Sequence, residues 1–453
     1  MLVGAGALLV AGQCALVWLT RGLTHATATT ISSVVPLIVG LSLTTALLLL
    51  MAPRLGRVQP TRSALLIVFL AGLALRAVWL ASPAPLEDDF KRYLWDGAVV
   101  AHGLDPYRYA PQQFLGSADV PSGYGAIAVA GRETIEGINF PDLRTIYPSV
   151  AQLSFALAYL IAPFKIDGLR AVFLVAEMAT FLLLIAMLAE IKASPLWSAL
   201  YWWNPTVAFV LVGIVHVDAL VPPFVLGAIL LAWRNRTNAA VALLGAGAGT
   251  KIWPLLLVPL VLGRVWKQPV RIAIAGLLLI GVLALAIGPV LLSSLQPNSG
   301  LAAYASSWGN NNAFFAWAAY GLGGLIEEDM AQRFLRTTVA FVGLATALAA
   351  AARAGTASRD LAHAALVVAA TVFYLSPAQF PWYAVWFLPL AALLRNWPLL
   401  LASVTLPAYY LFFPLWESGR GDTFFFGAAF LHSVPVLGWL TLDAWRGRRR
   451  QNA

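Results

Sequence analysis

Cysteine is all but missing from this chain: Cys14 stands alone in 453 residues. That excludes a disulfide framework and any cysteine-built metal site, and it leaves the redox compartment undecided. Charge is scarce as well, at 11% of residues, and histidine numbers five. So few charges cannot solvate the surface of a soluble domain this long. No Gly-rich phosphate loop and no HExxH occurs, and no spacing assigns a Ser-His-Asp arrangement. Low-complexity tails and short-period repeats are absent. What abounds is apolar residue, 60% of the chain, with a mean hydropathy of +0.79. It comes in runs long enough to cross about 30 Å of hydrocarbon, roughly 17–25 residues each. The class implied is an all-α polytopic membrane bundle in one domain, 1–453, with about 13 membrane segments, some of them broken. The net charge of +9 does not point to nucleic acid, because the basic residues sit in short clusters between apolar runs and read as topology signals.

Spans are expected at about 3–20, 31–52 and 63–81, the first read as a retained span rather than a cleaved signal. Arg54, Arg57 and Arg62 mark a cytoplasmic link by the positive-inside rule, so the N-terminus lies inside and the loop at 82–145 outside. A span at about 146–164 returns, Lys165 and Arg170 mark a cytoplasmic turn, and 171–190 goes out again. Between Pro195 and Trp233 the alternation is hard to keep, since Asn204, Pro205, His216, Asp218, Pro222 and Pro223 interrupt the run. Broken helices lining a wet cavity are the expected answer. Lys251 interrupts the next apolar stretch, where two half-helices turning back would keep Arg234, Arg236, Arg264 and Lys267 inside. A span at about 272–292 leads to a second outer loop, 294–336, rich in aromatics and amides. Spans at about 337–353, 361–376, 382–395, 398–415 and 424–444 follow, with Arg446 to Arg450 inside, so both termini are expected to be cytoplasmic.

One stretch is polar where its surroundings are oily: LEDDFKRYLWDGAVVAHGLDPYRY, Leu86 to Tyr109. A helix starting at Asp88 or Asp89 puts Arg92, Tyr93 and Asp96 on the same face, and Gly103 to Pro106 stops it. The expected topology gathers on one side Asp88 and Asp89, His216 and Asp218, Lys251, Trp308, Asn310 to Asn312, Gln379, Trp382 and Tyr383. A carboxylate there suits a general base, a Lys or Arg suits phosphate, and aromatic rings with amides suit sugars. Each also has an ordinary reading. Asp88 and Asp89 could solvate the loop, and Arg92 with Asp96 fits a helix-surface ion pair better than a catalytic one. His216 with Asp218 fits a satisfied polar pair equally well, Lys251 could snorkel, and Trp382 and Tyr383 alone fit an interfacial belt.

The order EDDFKRYLWDG, HGLDPYRYAP and INFPDLRTIYPSVAQL, followed by YWWNP, GIVHVDAL, GTKIWPLLLVPL and SPAQFPWYAVWFLP, resembles the integral-membrane GT-C glycosyltransferases. The likeness is nearest to bacterial polyprenol-phosphate-mannose-dependent mannosyltransferases and their glycosylphosphatidylinositol mannosyltransferase relatives. It differs in having a single Pro148 before Ser149, where the family often pairs prolines, and in two additional N-terminal spans, 1–62. The resemblance implies a hexose, mannose as the expected sugar, moved from a polyprenyl-phosphate donor to a lipid or glycan acceptor. Transfer would occur on the extracytoplasmic side of a bacterial inner membrane, with membrane lipid as a further partner. It implies Asp89 as the base, with Asp88 as alternative or partner. Arg92, Tyr93, Tyr147, His216, Asp218, Lys251, Asn311, Gln379, Trp382 and Tyr383 form the expected substrate-binding set, Lys251 on the donor phosphate. No cofactor is implied, and a divalent metal is left open. A lipid-intermediate transporter or flippase is the competing class, because discontinuous helices also mark transport sites, and a scaffold subunit of an envelope-assembly complex is a third.

Overall fold

The computed structural model describes residues 1–116, 123–355 and 357–451; side chains from residue 447 onward, and so the arginines after Arg446, lie outside the description. Among the described residues the protein is an all-α bundle whose extended pairing amounts to two isolated bridges. Nine helices are long and apolar enough to cross a bilayer, or up to ten if one bent pair counts as a span. The expected total of about 13 exceeds this because several apolar runs are broken into helices too short to cross by themselves. Four shorter apolar helices, Ser149–Ile161, Thr237–Ala248, Trp253–Gly263 and Ala313–Gly323, account for most of the difference. The run expected at 382–395 is likewise split, into Pro381–Trp386 and Leu388–Leu394.

Local chemistry sets these boundaries. Thr61 starts Arg62–Leu80 by accepting the Ala64 amide with its hydroxyl, and Asn204, Asn312 and Asn396 cap later helices in the same way. Prolines stand in the first turn of many of the others, where a missing N–H costs nothing. The expected break between Pro195 and Trp233 is there: Pro205–Gly213 and Val217–Trp233 meet at 109°. Val215 takes a left-handed backbone conformation, φ 59°, at the bend. Lys251 also stands where the sequence places it, at the turn between Thr237–Ala248 and Trp253–Gly263.

One expected span and one expected turn are wrong. Ser149–Ile161 has 13 residues, about 20 Å of helix, too short for the hydrocarbon. It lies along Asp89–Ala101 instead, so closely that a side chain at Gly97 would collide with the Phe155 carbonyl, while Tyr93 stacks on Phe155 at 4.5 Å. Arg170 does not mark a solvated turn. It is buried, and its guanidinium donates to the carbonyls of Leu80 (3.0 Å), Ser82 (2.6 Å), Val212 (3.1 Å) and Gly213 (3.2 Å). Leu80 closes the Arg62–Leu80 helix, so Ile166–Glu190 begins at the same end of the bundle where that helix finishes. Farther in, Arg76 meets Glu177, and at the opposite end Glu190 meets Arg234 at 3.0 Å. The polar segment after Leu80 therefore leaves and re-enters the bundle at one end and extends to about Lys165 rather than to 145. Residues 195–213 then run back toward that end, which removes the difficulty in alternation before Trp233.

The Arg76–Glu177 pair, 2.5 Å apart with both side chains fully buried, is reinforced by the Trp202 carbonyl at 2.6 Å, by Tyr201 donating to Glu177 at 2.5 Å, and by the Trp202 ring 3.6 Å from the guanidinium. Removing one partner strands a charge in the bundle. Glu177→Gln is expected to cost about 3–5 kcal/mol, read as a lower thermal midpoint in detergent, whereas Arg76→Met combined with Glu177→Met recovers most of the loss. A double variant as unstable as Glu177→Gln alone would contradict this account.

Candidate active site

The polar segment opens with a forced turn. Leu86 is buried in a left-handed conformation, φ 65°, and it delivers Glu87, Asp88 and Asp89 in succession to the start of the Asp89–Ala101 helix. Acids are favoured there by the helix dipole. The Asp88 carbonyl accepts the Lys91 amide at 2.9 Å. At the other end the helix stops before Gly103, φ 72°, as its sequence predicts.

The three acids have different surroundings. Glu87 is hydrogen-bonded to Tyr409, and burial, aided by the charges of Asp89 and Asp88, raises its pKa well above the ordinary value. Asp88 has both oxygens engaged: Oδ1 accepts from Asn139 Nδ2, and Oδ2 lies 3.9 Å from His25 Nε2. Burial raises its pKa, opposed by His25, Lys91 and Asn139. Asp89 keeps 40% of its side-chain surface open, and its Oδ2 lies 3.9 Å from His216 Nδ1. Desolvation by the surrounding cavity, then the charge of Asp88, push its pKa up to about 6. That rise is net of the opposing charges of Lys251 and Arg92.

These acids form one wall of a cavity of about 510 Å³. Across it stands a wall built from the helix breaks. Lys251 Nζ lies 3.5 Å from Asp218 Oδ2 and 4.2 Å from the centre of the Tyr383 ring. Trp386 donates to Asp218 Oδ1 at 2.7 Å. Phe380, Trp382 and His216 form a continuous stack, with centroids 4.6 and 3.5 Å apart. Tyr304, from the second polar loop, meets the Tyr383 hydroxyl at 3.0 Å. Carboxylates, one ammonium and flat aromatic faces are thus aimed into one space, an arrangement suited to a hydroxylated, phosphorylated ligand.

Of the residues singled out in the sequence, Asp88, Asp89, Arg92, Tyr93, Tyr147, Asp218, Lys251, Trp382 and Tyr383 line this cavity. His216 is buried just behind Trp382. Asn311 and Gln379 do not reach it. Asn311 turns inward at φ 56° and donates to the Gln379 carbonyl at 2.7 Å, while Gln379 donates to the Tyr374 carbonyl at 2.7 Å. They staple two segments together, and their neighbours Asn310 and Phe380 face the cavity instead. Nor do Arg92 and Asp96 form a surface ion pair. Arg92 donates to the carbonyls of Phe140 (3.0 Å) and Leu143 (2.9 Å), holding the return of the polar segment. Asp96 is buried, accepting from Thr145 at 2.5 Å and Gln152 at 3.0 Å.

Sequence reasoning missed Glu87, His25, Asn139, Arg144 and Tyr304 on the lining. The adjacency of Glu87 to Asp88 was a usable signal. So was the position of His25 between the first two apolar runs, on the side expected for the acid loop. Nothing marked Asn139. Among the described residues no group of three or more His, Cys, Asp or Glu could hold a metal ion. Comparison with known protein families, curated proteins and solved structures gives no match for this chain.

A carboxyl whose folded-state pKa exceeds its unfolded value destabilises the fold once it is charged. Asp89→Asn is therefore expected to raise the thermal midpoint above about pH 6, and the advantage is expected to shrink as pH falls from about 6 toward the ordinary 3.8. Thermal scans of both proteins across that range measure it, and a variant less stable than wild type at pH 8 would refute it.

Proposed function

We propose that this multi-pass membrane protein is a glycosyltransferase of the GT-C type, moving a hexose, mannose in the first instance, from a polyprenyl-phosphate donor to a lipid or glycan acceptor of the cell envelope. The observation that carries the proposal is Asp89: a carboxylate open to the cavity, with no hydrogen-bond donor on it among the described residues, made more basic by its surroundings and facing a lysine and a wall of aromatic rings. A flippase that only reorients a lipid needs no general base, whereas transfer to a hydroxyl does. In the proposed reaction Asp89 takes the proton of an acceptor hydroxyl. The freed oxygen forms a bond to the anomeric carbon as the bond from that carbon to the phosphate oxygen breaks. The electron pair leaves with polyprenyl phosphate, and attack opposite the leaving group inverts the anomeric centre. Asp88, tied to His25 and Asn139, keeps its place beside the base and raises its basicity. The aromatic stack offers flat faces to the sugar. The reading puts the cavity on the extracytoplasmic side of a bacterial inner membrane and both termini in the cytoplasm, consistent with Arg54, Arg57 and Arg62 at the far end of the bundle.

The test is purified protein in proteoliposomes with radiolabelled polyprenyl-phosphate mannose and a membrane lipid extract. Wild type is expected to move label into a new product. Asp89→Asn is expected to lose about 10²–10⁴-fold in rate, the usual range for removing a general base. Because the base works only when deprotonated, the wild-type rate should rise with pH through about 6 and level off above. Full activity in Asp89→Asn would remove the assignment, and labelled lipid crossing the bilayer without transfer would replace it with transport.

A further inference from the structure

The cavity is crowded with carboxyl groups. Glu87, Asp88, Asp89 and Asp218 line it, together with four cationic or potentially cationic side chains, His25, Arg92, Arg144 and Lys251. A polyprenyl-phosphate sugar would bring a further anion, and the phosphate would gain charge as the sugar leaves. Such a group is repelled unless some cation has capacity to spare.

Two of the four already face a carboxylate, and a third is anchored on backbone carbonyls. Lys251 lies 3.5 Å from the buried Asp218 carboxylate and over the Tyr383 ring. The Arg92 guanidinium has no carboxylate within ion-pair distance among the described residues, but its Nη2 is anchored on the Phe140 and Leu143 carbonyls at 3.0 and 2.9 Å. His25 faces Asp88. Arg144 differs. Its side chain makes one long contact, 3.4 Å from Nη1 to the neutral Gln296 Oε1, and no carboxylate lies within ion-pair distance among the described residues. Most of its five N–H donors therefore remain free.

Its backbone, by contrast, is fixed. The Arg144 amide donates to the Asn298 carbonyl at 2.8 Å, and the residue bridges in parallel with Ser299. Gly300 then passes so close to the Arg144 carbonyl that a Cβ there would stand 2.3 Å from it. The first polar segment is thereby pinned to the second with an uncompensated guanidinium at the joint. A planar fork on a rigid base is the group best suited to grip phosphate through paired hydrogen bonds.

We infer that Arg144, rather than Lys251, is the principal contact for the phosphate of a polyprenyl-phosphate ligand, and that Lys251 serves mainly to hold Asp218. The inference rests on the transferase reading for the identity of the lipid, while the anion site itself follows from the charge arrangement.

The experiment compares, in nanodiscs, binding of a polyprenyl phosphate and of the polyprenol of equal chain length to wild type, Arg144→Gln, Arg144→Lys and Lys251→Gln. The alcohol reports an intact lipid site in each variant, so the phosphate-to-alcohol preference is read independently of folding. Wild type is expected to prefer the phosphate by about 10- to 100-fold, the value of one charge-assisted paired contact. Arg144→Gln should lose most of that preference, Arg144→Lys should keep only part of it because an ammonium cannot make the paired contact, and Lys251→Gln should keep most of it. An undiminished preference in Arg144→Gln, or its loss in Lys251→Gln alone, would overturn the inference while leaving the transferase reading intact. A wild type indifferent to the phosphate would overturn both. Inorganic phosphate is the competitor that separates sources: displacement of the lipid at equal concentration would assign the site to a free anion.

Discussion

Four carboxylates facing one cavity at the end of a membrane bundle are the constraint on which the arrangement of this protein turns. Charge so placed is costly unless each group finds its own compensation, and here the compensations differ. Asp218 is buried against Lys251 and the Trp386 indole. Asp88 has His25 and Asn139. Glu87 is held by Tyr409, where burial favours the proton. Asp89 keeps 40% of its side-chain surface open to the cavity, its charged form disfavoured by burial and by Asp88. The same neighbours that engage the other three leave Asp89 without a hydrogen-bond donor among the described residues, a difference among like residues that their order in the chain does not reveal.

The backbone bears the cost of this arrangement. Non-helical chain at membrane depth is tolerated only where protein or a wet cavity surrounds it, and the breaks at 213–217, 249–252 and 376–380 deliver His216 and Asp218, Lys251, and Phe380 with the two aromatics after it. Left-handed residues that are not glycine, Leu86, Phe140, Val215 and Asn311, stand at the turns around the same space. Such conformations persist where surrounding packing enforces them, and they collect at functional sites.

The sequence made legible what hydrophobicity and punctuation encode. Long apolar runs marked the crossing helices, paired prolines and isolated polar residues marked the bend near His216, and the acids Asp88 and Asp89 beside an apolar run marked the cavity wall. Direction was less legible. Ser149–Ile161 is as apolar as a span, but hydropathy does not say whether a helix crosses the bilayer or lies against another helix, as Gly97 and Phe155 allow here. Arg170 was misread for the same reason: an arginine bonded to four carbonyls and one at a cytoplasmic turn look alike in sequence. Asn311 and Gln379 have the right residue types for a sugar site, yet their side chains are consumed in stapling two segments, which depends on a turn that only the fold supplies. The N-terminal helix pair, additional to the layout that the sequence resembles, proves part of the cavity through His25.

The pairing of Arg76 with Glu177 also bears on how the chain is made. The two are 101 residues apart, and at about 5–20 residues per second a growing chain needs on the order of 5–20 s to supply the second after the first. Through that interval Arg76 belongs to an apolar helix with no partner for its charge, so the Arg62–Leu80 helix cannot settle alone among lipids at low cost. Its final seating has to wait for Ile166–Glu190, with the whole polar segment between them already made. Biogenesis would thus be ordered around the cavity, with the enclosing helices closing only after the acids that line it have been delivered.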